Sequence, residues 1–235
     1  MRGFLLGKTA AVALTFAAAA LSPAQAVACG ASAGGVAGVS GCSLAEHNEA
    51  VRKKWHLGVS GAFSSTSIRF SPELRLDQTR TNALATLSYS PRPNVTLEYG
   101  AGALVDGTFE RAGVEYDFSP GLLLLLGGQL AYVTSRTTER GLAGAPSAGY
   151  HAFDFRVGPV VGWTFFRALS PYFLARVFGG PVFWSYGGQT EVGSDVHHYQ
   201  LGAGLSLLVA RRLTAFVEGV PLGERTLAGG AGFAF

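Results

Sequence analysis

This sequence predicts an all-β fold, a single antiparallel up-and-down transmembrane β-barrel of about ten strands. Three observations carry that expectation. Hydrophobicity alternates with a period of two from Trp55 to the last residue, as in strands whose two faces differ. The alternating segments run about ten residues, the length of a tilted strand crossing a bilayer, whereas strands of soluble sandwiches average about five or six. The less apolar face carries glycine, serine, threonine and isolated charges with almost no lysine, which suits a crowded interior better than a wetted exterior. Composition agrees: 48% of residues are hydrophobic and only 14% charged, against about 25% charged in ordinary soluble domains. That balance excludes intrinsic disorder.

Residues 1–26 read as an export address. Arg2 and Lys8 form a positive start, Thr9 to Leu21 an apolar run, and Ala24-Gln25-Ala26 a small-x-small cleavage site. The run is too short for a comfortable span of about 20 residues. Removing Arg2 and Lys8 takes the formal net charge from +3 to +1, which gives no footprint for nucleic acid. Residues 27–54 are expected to be a flexible periplasmic segment, with Ala45 to Lys54 forming a short helix. Within it, Cys29 and Cys42 enclose a Gly/Ala/Ser-rich stretch. A disulfide fits an oxidising compartment, with lipidation of Cys29 as the alternative.

The barrel, residues 55–235, is divided into strands near 55–69, 79–90, 95–105, 108–118, 122–134, 150–166, 171–186, 196–210, 213–220 and 226–235, with eight or twelve strands also compatible. The pattern is clearest from His151 to Phe166. There Phe153, Phe155, Val157, Pro159, Val161, Trp163 and Phe165 oppose Asp154, Arg156, Gly158, Gly162 and Thr164. Phe118 to Ser135 contains no charge, but Pro120, Gly121, Gly127 and Gly128 make it a poor helix. Leu122, Leu124, Leu126, Leu130 and Tyr132 form one strand face. Short turns are expected near 90–94, 119–121, 167–171 and 211–212. The remaining connections, expected to be longer and external, lie at 71–78, 136–149, 187–195 and 221–225, with a tight hairpin at Asp106-Gly107. Trp55, Tyr89, Tyr99, Tyr116, Phe118, Trp163, Phe165 and Phe235 would form a girdle at the periplasmic rim.

The chain ends Gly230-Ala231-Gly232-Phe233-Ala234-Phe235. Alternation closing on a terminal Phe, joined to the export segment and to strands throughout 55–235, resembles Gram-negative outer-membrane β-barrel proteins. The resemblance implies the cell outer membrane as location, outer-membrane lipids as surroundings, and barrel-assembly machinery reading Gly230, Phe233 and Phe235. It is one of architecture and selects no subfamily. No cofactor and no metal site are expected, and P-loop, GxSxG and CxxC motifs are absent from the sequence.

Two groups of polar residues bear on function. Glu98, Arg111, Glu115, Asp117, Asp154, Arg156, Arg176 and Glu218 fall on the inward parity and are expected to form a compensated charge network filling a narrow lumen. His151, Ser185, Asp195, His197 and His198 gather near the outer rim, with Tyr186, Glu191 and Ser194 close by. The leading expectation is a non-catalytic barrel with a structural, adhesive or narrow-pore role. A second is a lipid-modifying acyl hydrolase or acyltransferase using the rim at 150–198, where a His–carboxylate pair would activate a Ser hydroxyl. A third is a secreted soluble β-barrel holding an apolar ligand.

Overall fold

Strands whose outer face is apolar and whose inner face is polar must close on themselves in hydrocarbon, because lipid offers an open sheet edge no hydrogen-bond partner. The computed structural model shows that closure. It describes residues 55–235 apart from residues 73, 93, 94, 128, 129, 164 and 167. The export segment, the 27–54 segment and the Cys29/Cys42 pair lie outside the described residues.

One antiparallel sheet holds β1 (Trp55–Arg69), β2 (Arg75–Arg92), β3 (Val95–Arg111), β4 (Val114–Phe118), β5 (Gly121–Leu126), β6 (Leu130–Glu139) and β7 (Ala148–Val157). It continues through β8 (Val160–Gly162), β9 (Leu169–Gly179), β10 (Pro181–Tyr186), β11 (Gln189–Asp195), β12 (Tyr199–Ala210), β13 (Leu213–Gly223) and β14 (Arg225–Ala234). Four staves of the barrel are interrupted (β4/β5, β7/β8, β9/β10 and β11/β12), so the fourteen segments make a ring of ten. The first and last strands seal it from His56↔Ala234 to Ser65↔Arg225. Gly230 lies where a Cβ would meet the Val59 carbonyl at 2.4 Å, so its lack of a side chain permits this close seam. Phe233 and Phe235 project outward.

The upper end is narrower. The β13–β14 hairpin turns at Gly223-Glu224 and stops short of the rim. Gly223 has φ +85, and a Cβ there would collide with the Tyr199 carbonyl, so only glycine makes this turn. Above the tip, β1 pairs directly with β11 through Ile68↔Asp195 and Arg69↔Ser194. The upper collar therefore has eight staves, β1-β2-β3-β4-β6-β7-β10-β11.

Side-chain orientation follows the expected parity on most strands. On β7, Phe153 and Phe155 are 48% and 47% exposed, while Asp154 and Arg156 are 2% and 3% exposed. This overturns the soluble-barrel alternative, which needs the apolar face inside. On β1 the outward face is apolar from Trp55 to Phe63 and polar from Ser65 upward. At about 3.3 Å per residue and about 40° of tilt, that belt is roughly 20 Å tall, close to the apolar band of a membrane barrel.

Several expectations change. Asp106-Gly107 is not a hairpin but part of β3. Thr81 pairs with Asp106 and Asn82 with Leu104, so Val105 is an extra residue, a bulge that reverses the parity beyond it. The turn falls instead at Ala112-Gly113, both with positive φ. A second reversal follows Ser119-Pro120, where proline supplies no N–H to the ladder. Between these two breaks, Tyr116 and Phe118 point into the lumen and Glu115 and Asp117 point out. Glu115 and Asp117 are therefore not lumen charges, and Tyr116 and Phe118 do not belong to the periplasmic girdle. The external connections are shorter than expected, the one at 136–149 shrinking to residues 140–147 between β6 and β7. Residues 75–78 and 189–195 lie in strands, a Gly187-Gly188 turn joins β10 to β11, and β2 and β3 reach 18 and 17 residues.

Val157 sits at mid-belt and faces outward. Val157→Arg is expected to lower the unfolding free energy in lipid vesicles by about 2–4 kcal/mol, the cost of an arginine at the bilayer midplane, as read by urea titration.

Candidate functional site: the filled lumen

The lumen is filled in three layers. In the eight-stave collar, Phe109 of β3 stacks on Tyr116 with ring centroids 4.7 Å apart, and Trp184 of β10 meets Phe109 edge-on at 5.4 Å. Strands β3 and β10 stand on opposite sides of that collar, so these two rings span its diameter. Phe118 packs edge-on against Tyr150 at 4.9 Å, and Ile68, Leu76 and Val182 belong to the same cluster, which continues below the collar along one wall through Leu104, Leu123 and Leu125. Polar tips are satisfied locally. Trp184 Nε1 donates to Thr137 Oγ1 at 3.0 Å, and Tyr150 Oη donates across the lumen to Gln78 Oε1 at 3.3 Å. Above the plug, Arg111 lies 4.7 Å over the Trp184 ring and pairs with Glu191 at 2.9 Å. Arg111 thus occupies the mouth.

The second layer is ionic and centres on the β13–β14 tip. Glu224 is fully buried and lies 3.9 Å from Arg80 Nη2 and 3.7 Å from Arg156 Nη2, while Gln200 Nε2 donates to it at 3.0 Å. Arg156 Nε donates to Asp154 Oδ2 at 2.6 Å. Asp195 is buried beside this group and accepts from Thr66 Oγ1 at 3.4 Å. Slightly lower, Glu218 accepts from Tyr172 Oη at 3.0 Å and from Arg176 Nη1 at 3.2 Å. Buried charges survive in such a place only when opposite charges face them. Toward the chain ends the lining shrinks to Gly58, Ser60, Thr86, Ser206, Thr214 and Gly232. It leaves a cavity of about 60 Å³ beside His56 and the buried Glu98.

The structure thus brings Asp154 and Arg156 into one ionic group, Arg176 and Glu218 into another, and leaves Glu98 apart in the lower lumen. Glu115 and Asp117 sit outside, held by Arg140 in the turn after β6. Arg140 Nε donates to Asp117 Oδ1 at 3.0 Å, and Nη1 reaches Glu115. The hydrogen bond to Asp117, then the carboxylate charges, raise the guanidinium pKa above its ordinary value. Sequence reasoning missed Gln78, Arg80 and Glu224. The parity that sets Asn82 and Thr86 inward also sets Arg80 inward within the expected 79–90 strand, and reaches Gln78 one residue before it. Nothing in the local pattern marks Glu224, which acts through a turn.

The outer-rim group does not assemble. Asp195 faces the lumen, whereas His151 faces out and bonds Tyr132 Oη through Nδ1 at 3.0 Å. Ser185 Oγ is paired with Thr190 Oγ1 at 2.8 Å, and His198 Nδ1 donates to the Phe178 carbonyl at 3.3 Å. His197 lies edge-on to Tyr199. Among the described residues, no set of three or more His, Cys, Asp or Glu is placed to hold a metal.

Glu224→Ala leaves Arg80 and Arg156 short of a buried carboxylate, and is expected to cost about 3–5 kcal/mol of unfolding free energy. The double replacement Arg80→Met/Glu224→Leu is expected to recover most of it, read by the denaturant midpoint of the refolded barrel.

No protein-family model matches the chain, and no curated protein matches it. Among solved structures it is similar to the translocator domain of the autotransporter NalP from Neisseria meningitidis, at 10% identity over 77% of this chain and 88% of that one, with a TM-score of 0.43. It is similar to Ail, the attachment invasion locus protein of Yersinia pestis, at 15% identity over 77% and 99%, with a TM-score of 0.37. A third likeness is to the outer membrane protein Omp33 of Acinetobacter baumannii, at 8% identity over 78% and 98%, with a TM-score of 0.22. The architecture stands on the geometry above: a closed ring of strands with an apolar outer belt is a membrane-spanning β-barrel.

Proposed function

We propose that this outer-membrane barrel is sealed and non-catalytic, and that it works through its outer surface and rim, in a structural or adhesive role, rather than by passing solutes. The observation that carries this reading is contact across the diameter of the collar, Phe109 with Trp184 and Tyr150 with Gln78. At about eight strands, side chains fill a barrel, and open aqueous channels belong to barrels of sixteen or more. The ionic layer beneath the plug adds a second barrier, since an ion entering it must displace buried pairs.

An acyl-transfer role draws no support from the rim. A serine nucleophile needs a base held by a third group, and His151 is held by a phenol while the nearby carboxylate, Asp195, is on the other side of the wall.

Purified protein inserted in planar lipid bilayers, with insertion checked by heat-modifiable gel migration, is expected to give no steady conductance above the bare membrane. Stable stepwise channels from the folded form would overturn the sealed-lumen reading.

A further inference from the structure

Two open crevices indent the outer wall at the upper edge of the apolar belt, each beside a broken stave. The first, about 700 Å³, lies at the Ser119-Pro120 break and is lined by Leu122, Arg136, Ser147 and His151 among others. The second, about 680 Å³, lies at the Gly179-Gly180 break and is lined by Arg69, Pro181, Val192 and His198 among others. Each combines one arginine and one histidine with an apolar wall. Arg75, Arg111 and Arg140 are all matched by carboxylates. Arg136 and Arg69 are exposed and have no ion pair or side-chain hydrogen bond among the described residues.

We propose that these crevices seat the phosphate groups of outer-leaflet lipid, with Arg136 and Arg69 as the phosphate-binding residues. The inference rests on the membrane placement in the proposed function, not on the sealed lumen. A guanidinium offers a planar fork that matches phosphate oxygens, and at the edge of hydrocarbon its charge is less screened than in bulk water. In the first crevice the hydroxyl of Ser147 adds a donor. Tyr132 Oη and His151 Nδ1 are hydrogen-bonded at 3.0 Å, which turns the other ring nitrogen, Nε2, toward Gly149 in the crevice wall. Below, Leu122, Leu126 and Leu130 stand exposed on the outer face and offer a track for acyl chains. A phosphate-bearing, acylated lipid satisfies both halves of this surface at once.

The test is native mass spectrometry of the full-length protein in detergent micelles titrated with lipid A, with dephosphorylated lipid A, and with lipid A plus millimolar inorganic phosphate. Two lipid adducts are expected on the unaltered protein. Arg136→Gln and Arg69→Gln are each expected to weaken one adduct about tenfold or more, and the double variant to bind like the unaltered protein with dephosphorylated lipid. Equal binding of the dephosphorylated lipid, or undiminished binding by the double variant, would overturn the proposal. Displacement by inorganic phosphate would reassign the crevices to free phosphate and overturn the lipid. Heat-modifiable migration of each variant confirms folding. A conducting barrel that still shows two arginine-dependent adducts would defeat the sealed-lumen reading alone.

Discussion

Backbone hydrogen bonding in hydrocarbon is the constraint on which the rest depends. Every N–H and C=O within the membrane must find a partner in the sheet, and only a closed ring leaves none over. Once the ring closes, the period-two alternation of each strand assigns half its side chains to lipid and half to a space too narrow for bulk water. Glycine and serine on the inner face are then a matter of volume, and inner charges become a matter of pairing. The seam between β1 and β14 shows both demands together. It closes over ten residue pairs, and Gly230 lets the strands approach where a side chain would meet the Val59 carbonyl.

The taper from ten staves to eight explains why the interior is layered. A short β13–β14 hairpin frees β1 and β11 to pair above it, and the collar so formed is narrow enough for aromatic rings from opposite walls to touch. The same hairpin delivers Glu224 beneath the collar, between two arginines on β2 and β7. Plug and ionic layer are therefore consequences of one connection, the Gly223-Glu224 turn. Aromatic filling sits where the wall is narrowest, and paired charge gathers at the level where the hairpin tip adds a carboxylate.

Much of this was legible in the sequence, and the failures have physical causes. Ring closure, strand number and the inward set of Asp154, Arg156, Arg176 and Glu218 follow from parity, because those strands run without a break around these residues. Parity failed for Glu115 and Asp117 because two local events bracket them, a bulge at Val105 and the Ser119-Pro120 interruption, each shifting the alternation by one residue. Asp-Gly at 106–107 carries the local chemistry of a turn, yet long-range pairing with Thr81 and Arg80 holds it in a strand. Glu224 was invisible because a turn residue has no parity. The rim residues clustered in sequence and separated in space, since Asp195 and His151 stand on opposite faces of the wall. The crevices were invisible too, being made by breaks in strands that only the three-dimensional register reveals.

The orientation of β7 tests the central claim most directly. Spin labels placed singly at residues 151–157, in protein with Cys29 and Cys42 replaced and refolded in lipid vesicles, report collision with oxygen, which dissolves in lipid, and with a water-soluble nickel chelate. The account expects labels at 153, 155 and 157 to be relaxed strongly by oxygen and weakly by nickel, with labels at 154 and 156 shielded from both. Labels at 154 and 156 bathed by nickel, with those at 153 and 155 shielded from both reagents, would contradict it.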